Sequence, residues 1–119
     1  YTNAPSYTVT IPASVELGNT AEIQAENVNV VSGSQLVVRL SDADGWKLTT
    51  PEGAEQLYTI KNGESIVAES EAVLTVAGGT ANNSGTVSLD FAPDGEPKYA
   101  GVYTGTVMFS VSVEAASNP

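Results

Sequence analysis

Residues 99–114 read Tyr-Ala-Gly-Val-Tyr-Thr-Gly-Thr-Val-Met-Phe-Ser-Val-Ser-Val-Glu, and their pattern decides the fold. From Tyr103 the odd positions carry Tyr103, Gly105, Val107, Phe109, Val111 and Val113. The even positions carry Thr104, Thr106, Met108, Ser110, Ser112 and Glu114. Alternation of apolar and polar residues with a period of two is the pattern of a β-strand with one face on a core. Sustained for about a dozen residues, it predicts one long strand, paired on both sides and resting on a second sheet. Phe109 is then predicted to be a core residue. Gly105, on the same face, predicts a close approach of backbone or of a large side chain, with Trp46 as one candidate.

The rest of the chain repeats this pattern in shorter pieces. Tyr7, Val9 and Ile11 alternate before Pro12, which cannot donate to a ladder and so ends that strand. Val15 and Leu17 are placed to resume pairing beyond the kink. Ala21, Ile23 and Ala25 share one parity and Val28 and Val30 the other, a slip that one extra residue near Glu26 and Asn27 would absorb as a β-bulge. Leu36, Val38 and Leu40 point inward, with Val37 and Arg39 outward. Asp42-Ala-Asp-Gly45 then reads as a hairpin turn into the run Trp46, Leu48, Thr50. Tyr58 and Ile60 mark a further strand, closed by an Asn62-Gly63 hairpin loop from which residues 65–68 return. Ala72, Leu74 and Val76 form another inward set. Residues 78–85 are a loop by composition, and Val87, Leu89 and Phe91 alternate after it.

These patterns predict an all-β chain, an Ig-like antiparallel β-sandwich of about 8–9 strands with no substantial helix. At 119 residues it is one domain spanning 1–119, with a folded core over 7–114 and tails at 1–6 and 115–119. The length suffices for a core without metal or disulfide staples.

Charge narrows the partners. Fourteen acidic residues face four basic ones, Arg39, Lys47, Lys61 and Lys98, for a net charge of −10. Binding to nucleic acid needs clustered Lys and Arg for counterion release, so neither nucleic acid nor an anionic membrane surface is expected. Cysteine and histidine are both absent. That removes thiolate nucleophiles, Cys/His zinc sites and a Ser-His-Asp triad, and the chain is predicted to be non-enzymatic and without a cofactor. No apolar run approaches the ~20 residues of a membrane span, so no membrane insertion is expected. The opening residues lack a signal-peptide pattern, and Tyr1 reads as the trimmed start of a longer chain.

Some constellations have a chemical look. Asp42 and Asp44 resemble the start of a calcium loop, but a strand begins where further oxygen ligands would be needed, so a capped turn is the plainer reading. Glu64, Glu69 and Glu71 cluster, as do Asp94 and Glu96, yet nothing spaces any pair for glycoside hydrolysis. Trp46 and Tyr99 are the aromatic candidates for stacking on a sugar ring, with Trp46 placed equally well at the core rim. A Lys47 or Lys98 amide bond to an asparagine, as in some adhesins, lacks an Asn in the final strand.

Residues 100–113 resemble the last strand of bacterial extracellular β-sandwiches, in which Ala-Gly-x-Tyr leads into alternating Val, Thr and Phe. That pattern belongs to secreted or surface Ig-like domains of Firmicutes and to spore-coat and pilin-like modules. Residues 7–17, Tyr-Thr-Val-Thr-Ile-Pro-Ala-Ser-Val-Glu-Leu, are similar to the first strand of the Firmicute group. Gly101-Val-Tyr103 echoes the tyrosine corner of Ig-like domains, with Gly105 where true Ig domains carry the second Cys. The resemblance implies an extracellular or cell-surface bacterial module that adheres or builds structure. Its partner would be a protein or glycan at the cell surface, and the chain itself a monomer or weakly self-associating. The alternatives are a carbohydrate-binding module and a pilin- or coat-like subunit assembling by strand addition.

Overall fold

The computed structural model describes residues 4–96 and 99–115, and of Asp44 the backbone alone. Tyr1 and Lys98 lie outside the described residues, as does most of the tail predicted over 115–119. Nine strands form two antiparallel sheets in a sandwich-like arrangement, with no α-helix among the described residues. They are β1 (Ser6–Thr10), β2 (Thr20–Asn29), β3 (Ser34–Asp42), β4 (Lys47–Thr49), β5 (Glu55–Asn62), β6 (Ser65–Ile66), β7 (Ala72–Ala77), β8 (Asn83–Pro93) and β9 (Met108–Ala115). The larger sheet runs β1-β2-β8-β5-β4, with β6 also paired to β5, and the smaller runs β7-β3-β9.

The core follows the period-two alternation wherever both sheets cover it. Ile23, Val28, Leu36, Val38, Leu40, Ile60 and Leu89 are fully buried between the layers. At about 25 cal/mol per Å² of apolar surface removed from water, such residues dominate the favourable side of folding. The parity slip in β2 is a bulge. Ala25 pairs with Gly85 and Val28 with Asn83, so three residues of β2 span two of β8. Asn27 takes a left-handed φ of 51° there, and both apolar sets reach the same core.

Several expectations are overturned. The long strand from Tyr103 does not form. β9 begins only at Met108, and it is an edge strand paired with β3 alone, not a strand with partners on both sides. Tyr103 and Gly105 precede it in irregular chain. That lead-in is pinned to the other sheet, because Thr49 and Thr104 exchange N–H···O bonds of 2.9 Å each. Bonding to two sheets in turn requires the backbone to change direction, which breaks the alternation before Met108. Phe109 is accordingly half-buried, packed against the core rather than within it. Gly105 is exposed, so no large side chain seals it.

Asp42-Ala-Asp-Gly45 is not a hairpin. A single 3₁₀ turn at Asp44–Trp46 carries the chain from β3 in the small sheet to β4, which pairs with β5 in the large one. The buried Tyr58 hydroxyl donates to the Ala43 carbonyl at 2.7 Å, and the Trp46 N–H donates to the same carbonyl at 2.9 Å. The Asn62-Gly63 loop is shifted by one residue. Asn62 pairs with Ser65, leaving Gly63 and Glu64 as the loop, and Gly63 takes φ 66° at its first position as a II′ turn requires. β8 starts at Asn83, so the loop predicted over 78–85 is confined to 78–82. Residues 12–17 form no strand, Ala72 is exposed, and Val73 is buried instead.

Val37 is on the outer face of the small sheet, as its parity requires, yet it is only 1% exposed. It pairs with Thr75 on one side and Ser112 on the other. Arg39 and Glu114 lie two positions to either side of the Val37–Ser112 pair, and their side chains meet across it. Arg39 Nε and one terminal nitrogen donate to the Glu114 carboxylate at 2.9 and 2.7 Å, while its other terminal nitrogen donates to the Ser70 carbonyl at 3.0 Å. The Ser112 hydroxyl donates to the same carboxylate at 2.9 Å.

These bonds hold the Glu114 carboxyl down at about 2, from an ordinary value of 4.5, chiefly through the Arg39 hydrogen bond and next through Ser112. A lowered folded-state value stabilises above the unfolded value, and that stabilisation is lost as pH falls through the folded one. The difference in thermal midpoint between wild type and Glu114→Gln is therefore expected to be largest above about pH 5 and to vanish near pH 2. Both side chains are about one-third exposed, so salt should shrink the difference as well. Thermal melts across that range check both effects.

Candidate functional site

The inner face of the large sheet carries a row of aromatic rings. Tyr58 on β5 lies 6.5 Å from Phe91 on β8, nearly parallel at 18°, and 6.2 Å from Trp46 at a tilt of 56°. Trp46 has φ 63°, a left-handed value uncommon for a bulky residue, and its ring is half-buried against the core.

Tyr58 and Phe91 form part of the floor of a cleft of about 280 Å³. Residues 11–15 and Leu17 line one side of it, and Gly105, Thr106, Val107 and Phe109 contribute to its wall. The cleft exists because the small sheet has three strands over a larger one, so two irregular segments finish the cover. Its lining is apolar, and its polar side chains are Ser14, Tyr58 and Thr106, with no charged residue among them. A second concavity, larger at about 490 Å³ and more open to solvent, is lined by Pro5, Asn29, Val30, Val31, Gly79, Thr80 and Ala81, again uncharged. Catalysis by general acid and base needs a titratable group within hydrogen-bond reach of the reacting atom. The titratable group in these linings is Tyr58, whose buried hydroxyl donates to the Ala43 carbonyl; the arrangement suits apolar contact and packing.

The sequence-predicted site residues are not brought together. Asp42 is exposed at the end of β3, where its backbone pairs with Met108, while the Asp44 side chain lies outside the described residues. Among the described residues no group of three or more His, Cys, Asp or Glu is placed to hold a metal. Tyr99 is 61% exposed and does not line the cleft where Trp46 packs against its floor. The Tyr103 hydroxyl donates to the Tyr99 carbonyl, closing residues 99–103 into a compact corner just before β9. Lys47 meets Glu55 across the β4–β5 pair at 2.9 Å.

Two features escaped the sequence reading. The Trp46–Tyr58–Phe91 row has no local signal, since its members come from three separate segments. The Asn29–Asn82 pair is equally remote in sequence. Asn29 accepts from the Asn82 backbone N–H at 2.9 Å and donates to its side-chain oxygen at 3.2 Å, tying the end of β2 to the start of β8. No helix among the described residues is long and apolar enough to cross a membrane. No family model matches the chain, and searches of curated proteins and of solved structures likewise return no match.

Proposed function

We propose that this chain is a non-catalytic, Ig-like module of a bacterial secreted or cell-surface protein, with an adhesive or structural role. The observation that carries the non-catalytic part is the cleft. It is walled by Ile11, Val15, Leu17, Val107 and Phe109 over an aromatic floor, with no carboxylate or cation in its lining. The acidic residues described lie outside that lining, and a net charge of −10 serves solubility and mutual repulsion.

Strand order supports the Ig-like part. Ig-like sandwiches place strands A, B, E and D in one sheet and C, F and G in the other. The order β1-β2-β8-β5 follows A-B-E-D, and the β3–β9 pair follows C–F. Tyr103, whose hydroxyl donates to a backbone carbonyl four residues upstream, makes the bond of a tyrosine corner, five residues ahead of β9. The likeness of residues 7–17 and 100–113 to Firmicute surface domains supports the extracellular setting.

The partner of such a module is a protein or glycan at the cell surface. Antibodies raised against the folded domain are expected to label unpermeabilised cells of the source organism. Labelling only after permeabilisation, or turnover of glycoside, ester or peptide substrates that disappears on substituting a single acidic residue, would overturn the proposal.

A further inference from the structure

We propose that β9 is a self-recognition edge, through which two copies of the chain join their small sheets into one six-stranded sheet. The inference rests on sheet order and burial, independently of the module's role, so either reading can fail alone.

An edge strand presents unpaired N–H and C=O groups to solvent, and most proteins blunt such edges with proline, charge, bulges or short length. The other edges here are blunted. β1 has five residues and lies between Pro5 and Pro12; β4 has three and is already bridged by Thr104; β6 has two. β7, the other edge of the small sheet, is shorter at six residues and is broken by a register shift with β3 at Val73. β9 has eight residues, Met-Phe-Ser-Val-Ser-Val-Glu-Ala, with no proline, no glycine and one charge. That charge is Glu114, whose carboxylate its own Arg39 already holds.

Burial points the same way. The inward residues of β3, namely Leu36, Val38 and Leu40, are at most 1% exposed. Their partners across the ladder, Phe109 and Val111, are half-buried, and Val113 is 37% exposed. The core is complete beneath β3 and incomplete beneath β9, as expected if a further strand belongs beside it.

The occupant is a second β9, because the strand is self-complementary. Antiparallel pairing about Val111 sets Val111 against Val111, Phe109 against Val113, and Ser110 against Ser112. Each of Phe109, Val111 and Val113 then meets an apolar residue on the same face, and each serine meets a serine. Such a two-fold contact closes on itself and makes a dimer rather than a fibre. One Glu–Arg pair per copy flanks it, and the remaining acidic residues lie off the strand, so the chain's net charge opposes association only from a distance. An interface of one edge strand falls below the size of permanent dimers, so the association is weak and concentration-dependent.

The chain has no cysteine, which makes a single introduced thiol diagnostic. Under mild oxidation Val111→Cys is expected to form a disulfide-linked dimer about tenfold faster than Ser88→Cys, an exposed control on the outer face of β8. In sedimentation experiments the wild type should shift from one chain mass toward two as concentration rises. Ser110→Lys/Ser112→Lys, which sets lysines directly opposite each other, should remain at one chain mass while keeping the wild-type circular dichroism spectrum. Wild type that stays at one chain mass at every concentration overturns the proposal. So does cross-linking of Val111→Cys no faster than the control, or a dimer that survives the double lysine substitution.

Discussion

Gly78→Ala is expected to destabilise the protein by about 3 kcal/mol or more, the largest effect of a single methyl group anywhere in the chain. Gly78 follows β7 and lies directly on the turn between β2 and β3. A Cβ built there would sit 2.2 Å from the Val31 carbonyl oxygen, 2.6 Å from that of Ser34 and 2.9 Å from that of Val30. None of these atoms belongs to a side chain that could rotate away. Relief requires β7 to separate from the turn, breaking the bonds from Gly78 N–H to Ser34 and from Gly79 N–H to Val30 at 2.9 and 2.8 Å. Gly33→Ala in the same turn is the comparison. It has open space but φ 91°, so it should cost only about 1 kcal/mol through backbone strain. Urea titration of the two variants checks the order; equal losses would mean that β7 does not rest on the turn.

Leu40→Ala should cost about 2–5 kcal/mol, the range for emptying a fully buried leucine site. Leu40 is 0% exposed on the central strand of the small sheet and pairs in register with Phe109. Phe109 is the larger side chain, and a buried Phe→Ala change ordinarily costs about 3–5 kcal/mol. Half-buried at the cleft mouth, it should lose only about half as much, roughly 1–2 kcal/mol. Two facing residues thus invert the order that size alone would give. Denaturant titration of both variants, compared at equal m-value, reads the difference directly.

Much of this fold was legible in the alternation of β2, β3, β5 and β8, because the apolar face of each pattern meets the core; in β7 the alternation holds only from Leu74, Val73 being buried where Ala72 was expected. The bulge near Asn27 was legible for the same reason, since a parity slip has few other physical causes. What misled was the run from Tyr103 to Val113. Period-two patterning reports which side chains share a face, but it does not report how many strands flank the backbone. Thr104 pairs with β4 in one sheet and Met108 with β3 in the other, and that change of partner leaves no mark on the alternation.

The Asp42–Gly45 segment failed in a related way. Asp-Gly marks a tight change of direction, which occurs, but the next strand joins the opposite sheet. The cleft and its aromatic row were invisible because they depend on the small sheet being too narrow to cover the large one. No local pattern encodes that mismatch. The Arg39–Glu114 clasp was hidden too, since both residues read as solvent-facing positions 75 apart in sequence.

The central claim is that the sandwich is lopsided, complete under β3 and open along β9. Amide hydrogen exchange on the dilute protein, where copies do not pair, tests it most directly. We predict slow exchange throughout the amides of β3 and alternating protection along β9, every second amide exchanging freely because it faces solvent rather than β3. Uniform strong protection from Tyr103 through Val113 would show a strand paired on both sides and would contradict the account.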